Sequence, residues 1–236
     1  MAQRIIRALV DLSEQLGIPI VTPEFQILLS LLAAGALAPD DLWQASTLSR
    51  SGFFHTLDRL KAWDLIACET DDGDRRRKTY RLRPRTLVML VRNLALARDP
   101  AALVDLLRVW RSRKPCGADE DILTGDPRLP HLTIEFQVLI YLALNPDATA
   151  GEIAPAISAS ATRFHAALRK LGDLGLVERD LCRSDRRNRC YRVAEWVQHA
   201  IVETNDKVLA WLDDFEAGTL SRPSSRLRAA VTPPQD

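Results

Sequence analysis

An internal repeat constrains the fold of this chain more than any other feature of its sequence. Residues 18–82 align with residues 129–193 without a gap, at a constant offset of 111 (129 − 18), and 18 of the 65 aligned positions are identical. The apolar identities recur at the spacing of buried helix positions, whereas four of the polar identities cluster over 74–81, in a short basic segment that a core does not need. Two copies at so long a period argue against a solenoid and predict two equivalent folded units.

The order of elements within one copy indicates a winged helix-turn-helix. Thr22 is a predicted N-cap for a helix that ends at Gly35. A short helix over 40–45, a third helix over 49–63 and a hairpin over 65–82 follow it. In domains with this order of elements, the third helix is the one that enters the major groove of DNA.

The second copy repeats this order, with Thr133 as the predicted N-cap, a third helix over 160–173 and a hairpin over 176–193. We therefore expect a mainly α fold with small β-wings, in which tandem winged helix-turn-helix domains form a pseudo-two-fold dimer within one chain. The predicted parts are a first winged-helix domain with N-terminal and connecting helices, a linker, a second winged-helix domain with a C-terminal helix, and a disordered tail, over residues 1–113, 114–130, 131–217 and 218–236.

Amphipathic helices are predicted outside the repeat, and each needs a partner for its apolar stripe. We expect them to pack the two halves of the chain together. Their predicted ranges are 2–16, 86–97, 101–111 and 194–216.

The hairpin segments resemble those of the multiple-antibiotic-resistance regulator (MarR) family. The segments LGDLGLVER at 171–179 and SDRRNRCYRV at 184–193 are similar to that family's L-x-x-x-G-L-[IV]-x-R strand entry and D-x-R wing, and DRRRK at 74–78 matches the same wing. The resemblance implies a dimer with a hub of terminal helices, third helices in major grooves and wing arginines in minor grooves. Two units in one chain imply a fused pseudo-dimer, so we expect a monomer rather than a homodimer. Asp64 stands where the family usually has glycine, so the first strand entry needs another way to turn.

The two predicted wings are basic. Seven cations and no acid lie between residues 75 and 85, and five arginines lie between residues 183 and 192. A guanidinium in the narrow minor groove gains charge attraction there and senses groove width. Asp74 and Asp185 precede the wing arginines closely enough to orient them. The alternative is a solvated basic turn, which the recurrence of Asp-Arg-Arg in both copies disfavours. The candidate DNA-binding wing residues are Arg75, Arg76, Arg77, Lys78, Arg186, Arg187 and Arg189.

The third helices carry the candidate base-reading residues. Arg163 is the strongest of them, because arginine can bond bidentately to guanine. Phe54 has two interpretations, a contact with a thymine methyl group or a place in the core, and the core is slightly favoured. The expected buried positions of the first copy are Phe53, Leu57 and Leu60. Once these and their equivalents are removed, the second copy is the better predicted base reader and the first the more electrostatic one. The candidates are Arg50, Ser51, Phe54, His55, Thr162, Arg163, His165 and Arg169, with Asp58 also exposed.

Neither catalysis nor metal binding is indicated. The sequence has no nucleophile elbow, P-loop or paired-carboxylate pattern, and its four histidines lack metal-ligand spacing, so we expect no enzyme and no cofactor. The four cysteines lack C-x-x-C spacing and no export signal is visible, which predicts reduced thiols in a cytoplasmic protein, at the bacterial nucleoid if it is a regulator. Cys182 and Cys190 flank the second wing, so a redox pair is a secondary hypothesis.

The net charge of +1 requires any DNA-binding surface to be local. Together, the repeat, the basic wings and the family resemblance predict a sequence-specific transcription regulator that binds double-stranded DNA. We expect it to be a repressor without membrane contact. Alternatives are a tandem winged-helix replication initiator and a protein-interaction module that has lost DNA binding. The resembled family leaves open a small-molecule effector, which no residue identifies.

Overall fold

The computed structural model describes residues 3–70, 78–95, 98, 132–157, 159–181 and 188–221. The predictions for the tips of both wings, for the helix over 101–111, for the linker and for most of the tail lie outside these described residues.

Within its described residues, the first half of the chain forms five α-helices and a three-stranded antiparallel sheet of order β1-β3-β2. Helix α4, which is the third helix of the repeat unit, precedes the hairpin as the repeat predicts. The elements are α1 (Gln3–Leu16), α2 (Pro23–Ala34), β1 (Ala36–Leu37), α3 (Pro39–Gln44), α4 (Arg50–Ala62), β2 (Ile66–Thr70), β3 (Lys78–Leu82) and α5 (Pro84–Ala95).

The second half repeats the order and forms a sheet of order β4-β6-β5. Both halves are mainly helical with a small antiparallel sheet, which is consistent with winged-helix units. The elements are α6 (Ile134–Leu144), β4 (Ala148–Thr149), α7 (Ala150–Ile153), a 3₁₀ turn (Ala154–Ala156), α8 (Ala161–Asp173), β5 (Val177–Leu181), β6 (Arg189–Val193) and α9 (Glu195–Ser221).

Hydroxyl side chains begin the helices that the sequence marks as equivalent. Thr22 accepts a hydrogen bond from a backbone N–H of α2, and Thr133 does the same for α6. Ser49 caps α4 and Ser160 caps α8 in the same way. Each cap satisfies one of the N–H groups that a helix leaves unpaired at its start. The predicted caps at 22 and 133 are therefore confirmed.

The two strand entries turn through the left-handed backbone region with different residues. Gly175 has φ 68° and its counterpart Asp64 has φ 54°. Left-handed backbone suits glycine, and aspartate is among the few other residues that tolerate it. The Asp64 carboxylate lies 3.2 Å from Arg83 Nη2 and 2.9 Å from Arg85 Nη2. These two ion pairs hold the first turn without the glycine that the resembled family uses.

Helices α1 and α9 contribute to the cores of both halves. Ile5 at the start of α1 packs in the first core, and Leu12 near its end packs in the second. In α9 the order is reversed, because Val197 lies in the second core and Trp211 in the first. The two cores are thus tied together by two shared helices rather than by a surface contact alone.

A β-bridge also joins the two halves, and it pairs equivalent positions of the repeat. Val21 bridges Leu132 in antiparallel orientation, and 21 + 111 is 132. Beside it, the backbone N–H of Thr133 donates to the carbonyl of Ile20 at 2.9 Å, and its hydroxyl donates to the carbonyl of Pro19 at 2.6 Å. The segments that enter α2 and α6 therefore lie side by side.

The C-terminal helix is longer than the sequence suggested. Helix α9 runs to Ser221, whereas the predicted helix ended at residue 216 and the predicted tail began at 218. A lone glycine at 218 weakens a helix but does not stop it, and the first proline after the helix is Pro223. No helix in the described part of the chain is long and apolar enough to cross a membrane.

Candidate nucleic-acid interface

Helix α4 buries one face against its sheet and exposes the other. Phe53, Leu57 and Leu60 are buried as predicted. The exposure expected for Arg50, Ser51, His55 and Asp58 is also observed.

The interpretation of Phe54 as a core residue is wrong, since 41% of it is exposed. Neighbouring residues of a helix point in directions about 100° apart, so only one of the two phenylalanines can face the core. Phe53, which is 0% exposed, takes that place.

The charged side chains of α4 are engaged within the protein. Arg50 Nη2 lies 3.7 Å from Asp40 Oδ1, and its guanidinium sits over the Trp43 ring, 5.4 Å from the centroid. Lys61 Nζ lies 2.6 Å from Asp58 Oδ1. This hydrogen bond lowers the pKa of Asp58 and raises the pKa of Lys61. The face of α4 therefore offers less free positive charge than its composition suggests.

Helix α8 presents a different surface on the same buried frame. Phe164, Leu168 and Leu171 face the core at positions equivalent to those of α4. The predicted residues Thr162, Arg163, His165 and Arg169 are all exposed. Within the described residues, Arg163 and Arg169 form no ion pair, so both guanidinium groups face solvent and are free to bind an anion or a base edge.

One ion pair between the first and the third helix of the repeat is present in both units. Glu24 of α2 pairs with Arg59 of α4, and Glu135 of α6 pairs with Lys170 of α8 at 3.2 Å. These are equivalent positions of the repeat (24 + 111 = 135; 59 + 111 = 170). In each unit the pair fixes the third helix against the first helix of the repeat.

Only the bases of the two wings lie in the described part of the chain. Lys78 and Arg189, which are equivalent positions, are both exposed where the returning strands begin. The other predicted wing residues lie outside the described residues, and their roles stay predictions. These are Arg75, Arg76, Arg77, Arg186 and Arg187, together with the orienting residues Asp74 and Asp185.

Several arginines counted with the wings are bound to acids that the sequence does not place near them. Arg81 pairs with Glu69 across the hairpin, and its counterpart Arg192 lies 2.5 Å from Asp147. Arg83 and Arg85 hold Asp64 at the strand entry. The run over 75–85 contains no acid, but three of its arginines have acidic partners contributed by other segments. The first wing therefore offers less free positive charge than its number of cations suggests.

The cysteines differ in state. Cys190 is disulfide-bonded, which contradicts the expected reduced thiol at that position. Its predicted partner Cys182 lies outside the described residues, so the pairing stays a prediction. Cys68 is a free, exposed thiol on β2. Among the described residues, no group of three histidines, cysteines or acids is placed to hold a metal ion.

A pocket of about 160 Å³ lies between α1, the segment before α2, and α2 itself. Its walls are mainly apolar, with Leu9, Ile20 and Leu29 among them, and Ser13 and Gln26 add polar groups. No local sequence signal marks it, because it forms only when the N-terminal helix packs on the first unit.

A comparison with known protein families finds a similarity within the second unit. Residues 131–188 match the model of the MarR family, which supports a DNA-binding transcription regulator. That match covers α6 to the second wing and leaves the first unit outside it.

Among solved structures, the chain is similar to BpsR of Bordetella bronchiseptica, a protein whose DNA binding is described as regulated by 6-hydroxynicotinic acid. The sequences are 21% identical over 49% of this chain and 91% of that chain, with a TM-score of 0.30. No curated protein matches the chain.

Proposed function

We propose that the protein is a sequence-specific, double-stranded DNA-binding transcription regulator, in particular a repressor, with two unequal reading helices in one chain. The observation that carries the proposal is the exposed, cationic face of α8, which stands on a winged-helix frame that matches the MarR family. Such a helix end can reach base edges in a major groove, and the adjacent wing can follow the phosphates.

The bridge between Val21 and Leu132 supports a pseudo-dimer. A contact between two equivalent positions is what a two-fold axis produces, because each residue near such an axis meets its own counterpart. The shared helices α1 and α9 then act as the hub. In this arrangement α4 and α8 enter major grooves at two half-sites about 34 Å apart, one turn of the duplex.

The two kinds of contact have different tasks in this proposal. The wings and the exposed residues at their bases, Lys78 and Arg189, supply phosphate and minor-groove contacts that depend steeply on salt. Arg163, close to the start of α8, supplies sequence preference through guanine. We also propose a small-molecule effector, for which the pocket between α1 and α2 is the candidate site.

Selection of bound sequences from a random duplex library, combined with the solution mass of the complex, tests the proposal. We expect a two-part asymmetric motif bound by a single chain. A perfect palindrome bound by two chains would overturn the pseudo-dimer but keep the DNA-binding function.

The α4 face favours one second candidate, a unit that keeps the fold for protein interaction. Asp58 is exposed on this face, and Arg50 is engaged by Asp40 and Trp43. A mobility-shift titration with random duplex at low salt separates the two functions. A regulator binds every duplex under those conditions, whereas a pure interaction module leaves the DNA unshifted.

A further inference from the structure

We infer that Phe54 reads the 5-methyl group of thymine in the half-site of the first unit. The inference rests on the proposed function, since it names the base group that α4 recognises. It concerns the first unit alone, because His165 occupies the equivalent position in α8.

The position of Phe54 suits contact with a base edge. It is the fifth residue of α4, within the N-terminal half of the helix, which is the part that approaches the bases in winged helix-turn-helix domains. Its ring meets the buried ring of Phe53 edge to face, with the centroids 5.3 Å apart and the planes at 70°. The exposed ring is thus supported from beneath by a residue of the core.

The other charged groups on this face leave an apolar contact as the chemistry that α4 offers best. Arg50 is engaged by Asp40 and Trp43, and Asp58 is paired with Lys61. At the major-groove edge of the base pairs, the thymine methyl group is the apolar feature that proteins recognise. An exposed phenylalanine between engaged charges therefore fits thymine better than guanine.

The two half-sites should consequently differ in composition. Arg163 and Arg169 of α8 offer free guanidinium donors, which match the O6 and N7 acceptors of guanine. We expect a required thymine on the side of the first unit and a required guanine on the side of the second.

Deoxyuridine gives a direct test, because it differs from thymidine only by the missing methyl group. The probe is a duplex selected by the full chain from a random library, in which each thymine is replaced singly by deoxyuridine. In the half-site of the first unit, at least one replacement should weaken binding about threefold to tenfold, the range expected when a methyl contact is lost.

Two variants locate the effect. With Phe54→Ala, the same deoxyuridine replacement should no longer change the affinity, and Phe54→Leu should restore part of the discrimination. The matched control is His165→Ala, which should leave the deoxyuridine effect intact. Loss of guanine preference in Arg163→Ala identifies which half-site belongs to the second unit.

The outcomes distinguish this inference from the function on which it rests. If no duplex is selected or shifted, the proposed function fails. A second outcome is that the chain binds its selected duplex, but the deoxyuridine replacements change the affinity of the parent protein and of Phe54→Ala equally. That result overturns the inference about Phe54 and leaves the proposed function standing.

Discussion

The third helices of the two units carry the same buried residues and different exposed ones. At the core positions, Phe53 and Phe164 are equivalent, and the leucines that follow at both spacings are retained. On the exposed face, Asp58 of α4 is replaced by Arg169 of α8, which reverses the charge. Identity thus follows burial, and difference follows exposure. The comparison indicates that one buried frame carries two exposed surfaces of different chemistry.

The comparison also shows that the number of cations in a segment is a poor measure of the charge it can offer. The first wing run has seven cations and the second has five. Three of those in the first, Arg81, Arg83 and Arg85, pair with acids. On the third helices, Arg50 is engaged, while Arg163 forms no ion pair within the described chain. The unit whose wing segment has fewer cations has the freer base-reading arginine.

The largest expected effect tests whether the frames are equivalent. Phe53→Ala and Phe164→Ala should each lower the free energy of unfolding by about 3–5 kcal/mol, because each removes a buried aromatic ring from a core. We expect both to shift a single unfolding transition, since α1 and α9 belong to both cores. Denaturant unfolding followed by circular dichroism measures this.

Phe54→Ala is the matched control for these two core variants. It removes an exposed ring next to a buried one, so it should change stability by less than about 0.5 kcal/mol. Two separate transitions, of which each core variant moves only one, would show that the halves are independent domains.

An intermediate effect tests the difference between the reading faces. Arg163→Ala should cost about 1–3 kcal/mol in binding to the selected duplex and relax the preference for one guanine. Arg50→Ala should cost less, because its guanidinium is engaged by Asp40 and Trp43. Fluorescence titration of the selected duplex, and of duplexes with single guanine replacements, provides both values.

Two results would contradict the roles assigned here to Arg163 and Arg50. Equal losses on the selected and on a random duplex for Arg163→Ala would make this arginine a phosphate contact. A larger loss for Arg50→Ala than for Arg163→Ala would reverse the ranking of the two faces.

The smallest expected effect concerns the start of the second helix of the repeat. Thr149 and Glu152 form a capping box at α7, whereas the equivalent Ala38 at α3 has no side chain that caps. Thr149→Ala should therefore destabilise the protein by about 1 kcal/mol, and Ala38→Thr should stabilise it by up to a similar amount. Thermal unfolding detects both.

The capping box also predicts a pH dependence. The hydrogen bond from the backbone N–H of Thr149 lowers the pKa of Glu152. The contribution of the carboxylate is therefore complete above the ordinary glutamate pKa and is lost as the pH falls through the lowered pKa. Glu152→Gln should remove this part of the acid sensitivity; an unchanged pH profile would show that the Glu152 carboxylate adds nothing to stability.

The fold was predictable where the signals are local. The caps at Thr22, Thr133, Ser49 and Ser160 lie at the starts of helices, and a hydroxyl that precedes an apolar periodicity marks such a start. The hairpins followed from the repeat, because a shared offset carries one assignment to the other copy. The frame of the candidate site, α4 and α8, was predicted for the same reason.

The parts that were not predicted depend on contacts between distant segments. The ion pairs of Arg81 and Arg83 form only when the hairpin register and the strand entry bring Glu69 and Asp64 beside them. The spacing to Leu57 and Leu60 predicts that Phe53 is buried, but it does not show whether the adjacent Phe54 also reaches the core. The packing of α4 leaves Phe54 exposed.

The bridge at Val21 and Leu132 has a consequence for how substitutions accumulate. In a dimer of identical chains, every change appears twice and must suit both sides of the axis at once. In the proposed pseudo-dimer, the two sides of the axis are separate positions in one gene product, as valine facing leucine already shows. A substitution that improves the DNA contacts of one unit then leaves the contacts of the other unit unchanged. The tether also keeps the two halves together on dilution, so a pairing too weak to hold separate chains suffices here.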